Sequence, residues 1–483
     1  MKDAGPGSSD VVSRKTLRPI RRRGRKILAT LLVIYISVPL ALLLYSEARF
    51  HLDVNARHDR GQPVLPQDFA VAPIADQDNA ATYLHLAAKL LEPTICQDFW
   101  LEEVRGRTLA PVLVQYASEV ISKRADAFSL LRKARQCAGV DWHLSLVSPV
   151  MEHALLGHVK EQRALARVLY LLALYQHDAG DDEAAVDTLR DMLFIAHAVD
   201  QQPTGISHLV AGDIECLACD ALVRVAPSLR IQDVRQNSRR LDGQAARTGV
   251  DAIVGELLDD APRQSALLRA WDFERMTIAD SLRTDSHFSW VVRRWGTWES
   301  IEVMREYDVA ASASRLPNWR AAQTILNAAP EPASMMAQMF HGSFSRPIEL
   351  HLKRATERHV AATALAMRLY QVDHAGAWPA KLNDLVPRYL PSVPLDPFSP
   401  DNRPLGYVPG NPPAIYSVGV DEIDGHADRT DAIDDYGIYK PWLALDAVFP
   451  MGGVLISEDW DPQHPPSSMP PSLPSSTPRR RER

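Results

Sequence analysis

Three short patterns in the chain combine residue types that could perform chemistry. A His-Gly-Ser triplet at 341–343 could place a nucleophile on a loop, although nothing in the neighbouring sequence orients it. His153 and His158 are five residues apart, which puts them on different faces of a helix. Glu357 and His359 are two apart and diverge as well. The sequence contains no HExxH, GxSxG, GxGxxG or Walker-type motif, which disfavours the interpretation of the chain as an enzyme.

The four cysteines exclude a disulfide-framework fold and offer two different interpretations. Cys216 and Cys219 form a CxxC within an apolar helical run that lacks a second ligand pair for zinc. We therefore interpret them as small buried side chains. Cys96 and Cys137 lie near the ends of predicted helices, and a disulfide between them is a hypothesis that depends on an oxidising compartment. The alternative, to which we give equal weight, is that Cys96 and Cys137 are both free thiols.

The charge of the chain is unevenly distributed. The net charge is −7, yet residues 1–26 carry nine basic against two acidic side chains. The tail at 461–483 is also basic, so the intervening part is strongly acidic. An acidic body repels phosphate backbones, and we expect no nucleic-acid partner.

An apolar run near the N-terminus predicts a membrane anchor. Residues 27–45 contain no charge and would span about 28 Å as a helix. The basic cluster at 21–26 lies on one side only, which predicts a cytoplasmic N-terminus and a translocated body. A cleaved signal peptide, with Ser46-Glu47-Ala48 as a weak site, and a buried core helix are the alternatives. A prepilin leader is not expected, because Ala29 stands where such leaders carry Glu.

The remaining chain divides into five segments. Residues 46–76 contain three prolines and predict an extended linker, and 77–310 predict an α-helical body. Residues 311–349 predict a connection, 350–460 a small α+β module, and 461–483 a disordered tail rich in Pro and Ser. Helical periodicity in the body and at the start of the module favours helices over 111–137, 151–178, 182–199, 207–227, 231–246, 248–283, 296–310 and 351–372, with a first helix capped by Asp76 or Asp78.

Two stretches of the body have more specific patterns. The sequence around Gly180-Asp181-Asp182 predicts two antiparallel helices of the tetratricopeptide type. Because no second copy follows, a local hairpin is favoured over a peptide-binding array. Trp290, Trp295 and Trp298 are clustered and could contact lipid headgroups or a partner, although packing between helices is favoured.

The pattern changes in the C-terminal module. A short helix is predicted at 382–386, followed by a proline-rich stretch and two strands at 405–408 and 415–418. The residues Trp378-Pro379, Leu385-Val386-Pro387, Tyr389-Leu390-Pro391, Pro394-Leu395-Asp396-Pro397-Phe398 and Tyr416-Ser417-Val418-Gly419 precede an acidic loop that ends at Asp434-Asp435. Over about 70 residues this run resembles the globular module of major pseudopilins of type II secretion. The same module ends larger bacterial envelope proteins of unknown function, which the helical body also resembles.

The resemblance to pseudopilins implies a structural calcium ion in the acidic loop. The matching positions are Asp421 and either Asp434 or Asp435, and Asp424 and Asp428 are further oxygen donors nearby. A solvated acidic loop without an ion is the alternative. Roughly 300 residues separate this module from the apolar run, and the leader is missing, so we do not expect the chain to polymerise.

Together these observations predict a mainly α fold. The predicted parts are an N-terminal transmembrane helix, a body of antiparallel helical hairpins and a small α+β pseudopilin-like module. We expect a single-pass inner-membrane protein with its bulk in the periplasm. Its expected role is an interaction or accessory component with an envelope protein partner. A periplasmic hydrolase with a site between the body and the module, and a secretion-system component, are the alternatives.

Overall fold

A computed structural model describes residues 17–91, 109–148, 150, 157–232, 243–284, 290–429 and 440–452. The helices are α1 (Leu17–Asp59), α2 (Ala80–Leu90), α3 (Pro111–Lys123), α4 (Ala125–Gln136), α5 (Gly157–Asp178), α6 (Asp182–Asp200), α7 (Gly205–Val225), α8 (Arg247–Leu258), α9 (Ala261–Thr284), α10 (Trp290–Ser314), α11 (Trp319–Ala328), α12 (Met335–Phe340) and α13 (Ser345–Asp373). The strands are β1 (Ile231–Gln232), β2 (Ala245–Ala246), β3 (Gly406–Val408), β4 (Ala414–Ser417) and β5 (Ala447–Pro450). The prediction of a mainly α-helical chain with strands near its C-terminus is confirmed.

Polar side chains define where several helices begin. Gly180 adopts a positive φ of 87° after α5, and Asp181 then accepts a hydrogen bond from the backbone N of Ala184 at 3.0 Å. The predicted break between these two helices is therefore confirmed. The predicted cap of α2 is wrong, because Asn79 rather than Asp76 or Asp78 accepts the backbone N–H of Ala81.

The main hydrophobic core lies between α2, α4, α5, α6, α7, α8 and α13. Leu169 of α5, Leu189 of α6 and Leu222 of α7 are fully buried in it, as is Leu365 of α13 at 1% exposure. Each such side chain contributes about 1.5–3 kcal/mol relative to exposure. The hairpin predicted for α5 and α6 is confirmed, and it is embedded in a larger helical assembly.

A second cluster joins the later helices. Trp271 of α9, Tyr307 of α10 and Phe344 before α13 pack edge to face or tilted, with ring centroids 5.0–6.1 Å apart. The indole N–H of Trp271 donates to Ser314 Oγ at 2.9 Å. This cluster fixes α13 against α9 and α10.

Five predicted secondary structures differ in the structure. The single helix predicted at 248–283 is divided into α8 and α9, because Asp259 ends the first helix and accepts the backbone N–H of Ala261. The helix of α1 continues through 46–59, where an extended linker is predicted, because Phe50 and Arg57 are buried against α10. The connection at 311–349 contains the end of α10 together with α11 and α12. Arg124 interrupts the helix predicted at 111–137. The described ends of 231–246 pair as the parallel strands β1 and β2 rather than forming a helix.

The C-terminal strands form one antiparallel sheet in the order β3-β4-β5. Ile415 at its centre is buried and pairs with Tyr407 on one side and Phe449 on the other. The two predicted strands are confirmed, and β5 is an addition that the sequence did not predict.

The N-terminal half of α1 is unusual for its exposure. The apolar side chains of 27–45 that the structure describes are largely uncovered, with Leu28 69% and Tyr35 76% exposed. The side chains of Pro39, Leu42 and Leu43 are outside the described part of this run. Within the described residues, no helix meets the combined length and apolarity that a membrane crossing requires.

Candidate functional site

One candidate pocket surrounds His341, at the start of the segment that leads into α13. Its volume is about 410 Å³, and Trp319 of α11, Ser345 and Glu349 of α13 also line it. Glu306, buried on α10, lies 3.0 Å from His341 Nδ1. A carboxylate on one ring nitrogen fixes the ring orientation and leaves Nε2 as the nitrogen available to a ligand. Glu306 therefore supplies the orientation that the sequence around 341–343 lacks.

Two further features of this pocket concern hydrogen bonding. Trp319 is only 3% exposed, and its indole N–H has no partner among the described residues. A buried donor without an acceptor costs about 1–3 kcal/mol, so this group is suited to a ligand that brings an oxygen. The hydroxyls of Ser343 and Ser345 donate to the carbonyls of Phe340 and Gly342, at 2.6 and 3.1 Å. Neither serine is activated by His341 in this arrangement.

A larger groove lies between α8 and the loop 387–391 of the C-terminal module. It encloses about 700 Å³, which is within the usual range for ligand sites, and it is lined by charged and apolar side chains. At one end Asp373 accepts two hydrogen bonds from Arg247, at 2.9 and 3.0 Å, and one from the Tyr389 hydroxyl at 2.8 Å. Arg388 lies 2.5 Å from the same carboxylate.

These contacts shift pKa values on both sides of the Asp373 network. Burial alone would raise the pKa of Asp373, but the hydrogen bonds from Arg247 and Tyr389 lower it below its usual range. Burial and the neighbouring Asp373 raise the pKa of Tyr389 to about 12. The groove therefore presents a fixed ionic network, and it is also lined by Asp251, whose pKa is raised by burial.

Helix α13 connects the His341 pocket and the groove, and a buried ionic network holds it in place. Arg358 donates to Glu215 of α7 at 2.9 Å and to Asp260 at 2.6 Å, and Arg263 of α9 donates to the same Glu215 at 2.9 Å. Asp260 also faces His359 at 3.0 Å. Because breaking a buried pair leaves an uncompensated charge, this network defines how α7, α9 and α13 pack.

The cysteines of α7 lie inside the helical body. Cys219 is buried, and burial raises the pKa of both Cys216 and Cys219 well above the usual thiol range. Both are free thiols; the interpretation as a buried side chain is confirmed for Cys219, whereas Cys216 is only partly buried. Cys96 lies outside the described residues, so its disulfide with Cys137 stays a prediction; Cys137 Sγ donates to the Lys133 carbonyl at 3.4 Å.

The acidic loop is described only in part. Asp424 accepts from the Tyr416 hydroxyl at 3.1 Å and lies 3.3 Å from Arg403, while Asp421 accepts from the backbone N of Ile423. Asp428 is described as well, whereas Asp434 and Asp435 lie outside the described part. Among the described residues, no group of three or more His, Cys, Asp or Glu side chains is arranged to hold a metal ion. The calcium site that the resemblance implies therefore stays a prediction.

Two buried aspartates in this module have roles that the sequence did not predict. Asp396 accepts hydrogen bonds from the backbone N of Phe398, the backbone N of Val418 and the hydroxyl of Ser417. Asp446 accepts from the backbone N of Gly425 and of Asp428. The first therefore joins the PLDPF and YSVG segments, and the second folds the acidic loop.

The sequence indicates some of these functional residues by type, but it does not indicate the partners that they contact. The triplet at 341–343 was noted, but its partner Glu306 is 35 residues away on another helix. Asp373 and Arg247 are 126 residues apart. Such pairs have no sequence spacing that could reveal them.

Comparison with protein families, with curated proteins and with solved structures finds no match to this chain.

Proposed function

We propose that the chain is a single-pass, membrane-anchored component of a bacterial envelope that binds a partner protein through its periplasmic body. The observation that carries this proposal is α1, a single helix with two different environments. Its 27–45 segment exposes apolar side chains around the helix, whereas its 46–59 segment buries one face, which carries Phe50 and Arg57, against the body. A helix that is apolar on every side is stable in a bilayer rather than in water.

The charges flanking α1 support the orientation. Basic residues at 21–26 precede the apolar run, and Glu47, Arg49 and Asp53 follow it with mixed sign. The positive-inside rule then retains the N-terminus in the cytoplasm.

Protease protection tests the anchor and its orientation together. Trypsin added to intact spheroplasts should digest the body and leave an N-terminal tag protected, and alkaline carbonate should not extract the protein. Digestion of the tag in intact spheroplasts, or release by carbonate, would contradict the proposal. Lysed spheroplasts, in which the tag must be cleaved, are the control.

The groove between α8 and 387–391 is the proposed partner site. Gly255 lines it and has free space where a side chain would begin, and Gly249, on the same helix, has equal space but does not line the groove. A photoreactive benzoylphenylalanine at 255 should yield a specific protein adduct in cells, and the same residue at 249 should not. Equal adducts at both positions, or none at 255, would reject the groove as the partner site.

A hydrolase is the second candidate, favoured by the contact between Glu306 and His341. In this reaction His341 would take a proton from water as it attacks an ester or amide carbonyl, and return it to the leaving group. The free Trp319 N–H would donate to the carbonyl oxygen. Hydrolysis of a panel of ester and amide substrates should disappear in His341→Gln but not in His374→Gln, whose ring bonds the Tyr370 carbonyl. Equal rates in the two variants would exclude this reaction.

A further inference from the structure

Helices α1 and α10 run side by side in the same direction. Glu47 Oε2 lies 3.4 Å from the Thr297 hydroxyl, and Arg57 binds Asp308 through two hydrogen bonds of 2.7 and 2.6 Å. Between these points Phe50 packs with Ile301 and Met304. The paired residues differ by 250 to 254 in number throughout, so the two helices rise in step.

This register fixes the level of the start of α10. Thr297, near the start of α10, lies beside Glu47, which is two residues after the end of the apolar run at Tyr45. Helix α9 reaches the same level from the opposite direction, since the Leu282 carbonyl oxygen lies against Gly296 where a Cβ would clash with it. If 27–45 lies in the bilayer, this end of the body meets the membrane surface.

Apolar side chains are exposed at this level. Trp298 is 40% exposed, in contrast to the buried Trp271 higher in the body. Met335 is 68% exposed, and Glu299 accepts the backbone N–H of the next residue, Met336, at 2.9 Å. Val147 is 60% exposed beside Ser148, whose hydroxyl contacts Asp280 of α9 at 2.7 Å. We call Val147, Trp298 and Met335 the basal surface.

We propose that the basal surface rests in the headgroup region of the phospholipid bilayer that holds 27–45. Tryptophan is enriched at membrane interfaces because its ring is amphipathic, and Trp298 belongs to the tryptophan cluster that the sequence shows at 290–298. The interpretation of this cluster as packing between helices does not account for the exposure of Trp298. The inference rests on the proposed anchor and adds a second contact with the same membrane.

The test uses the full chain in nanodiscs of phosphatidylethanolamine and phosphatidylglycerol that carry a traceable acyl chain. Benzoylphenylalanine replaces one residue at a time: Trp298 or Met335 in the basal surface, Leu32 in the anchor, and Leu443 as a distant control. Leu443 is also an exposed apolar residue, 56% exposed, and it follows Trp442, which donates to Glu357 of α13. The neighbouring Arg358 binds Asp260 at the far end of α9, about 30 Å from Leu282 along that helix.

We expect lipid adducts at 32, 298 and 335 and none at 443. Adducts at 32 alone would overturn the basal contact and leave the proposed anchor intact. The absence of adducts at 32 would overturn both the anchor and the contact that rests on it. Adducts of equal yield at 443 would show nonspecific labelling and would also reject the basal surface.

Discussion

Replacing Asp396 by alanine should loosen the C-terminal module at one defined point. The carboxylate is 2% exposed and accepts from the backbone N of Phe398 at 3.0 Å, from that of Val418 at 2.8 Å and from the Ser417 hydroxyl at 2.8 Å. The hydroxyl can rotate to another acceptor, but the two backbone N–H groups cannot. Asp396→Ala therefore leaves two buried donors without partners.

The expected cost follows from these two donors. Each unsatisfied buried N–H costs about 1–3 kcal/mol, and entry of water into the space left by the carboxylate offsets part of that. We expect the local opening free energy to fall by about 3 kcal/mol, which corresponds to roughly a 100-fold loss of protection from amide exchange.

Hydrogen exchange of the full chain in detergent micelles measures this loss directly. Peptides that cover 394–419 should exchange faster in Asp396→Ala, while peptides from α5 and α6 should keep their rates. Asp401→Ala is the matched control, because Asp401 lies in the same loop but is exposed. If Asp396→Ala changed exchange by less than tenfold, the carboxylate would not be what joins the two segments.

Three further predictions concern the whole chain. The pKa of Asp260 is lowered in the fold because its contacts with His359 and Arg358 outweigh burial. The pKa of Asp373 is lowered because its contacts with Arg247 and Tyr389 outweigh burial. The contribution of both groups to stability is therefore complete above the usual aspartate pKa of about 4 and is lost as pH falls below it. The midpoint of urea unfolding should therefore drop as the pH falls from about 4 to about 2, and a constant midpoint would contradict this. Millimolar calcium should raise the melting temperature and a chelator should lower it, whereas identical melting curves would exclude the ion. A non-reduced digest should contain a peptide pair joined through Cys96 and Cys137, and recovery of both thiols free would exclude the bridge.

Local patterns in the sequence predicted the parts of the fold that local forces decide. Apolar periodicity located α5, α6, α7 and α13, and the Gly180-Asp181 pair located the break between two of them. The helical 46–59 segment was missed because its burial depends on α10, some 250 residues away. Helices α11 and α12 were missed because they are short, with caps at Asn318 and Ser334 that are common loop residues as well.

The candidate sites depended even more on distant partners. His341 could be noted as a reactive residue type, but only the packing of α10 brings Glu306 to it. The aspartate of the PLDPF segment was part of the resemblance to pseudopilins, yet its hydrogen bonds to Val418 and Ser417 emerge only from the fold. Residue type was therefore readable from the sequence, whereas pairing was not.

Because α1 is one uninterrupted helix, the number of residues between 27–45 and Phe50 determines how the body is oriented relative to 27–45. The helix is 43 residues long, about 65 Å, and residues 46–59 are fixed to α10 by Phe50 and Arg57. One residue inserted at 46 would rotate the body by about 100° around the helix axis and raise it by about 1.5 Å relative to 27–45. A four-residue insertion would nearly restore the azimuth but raise the body by about 6 Å. If 27–45 spans a bilayer as proposed, the number of residues between this run and Phe50 determines which side of the body faces a neighbouring protein in the same membrane.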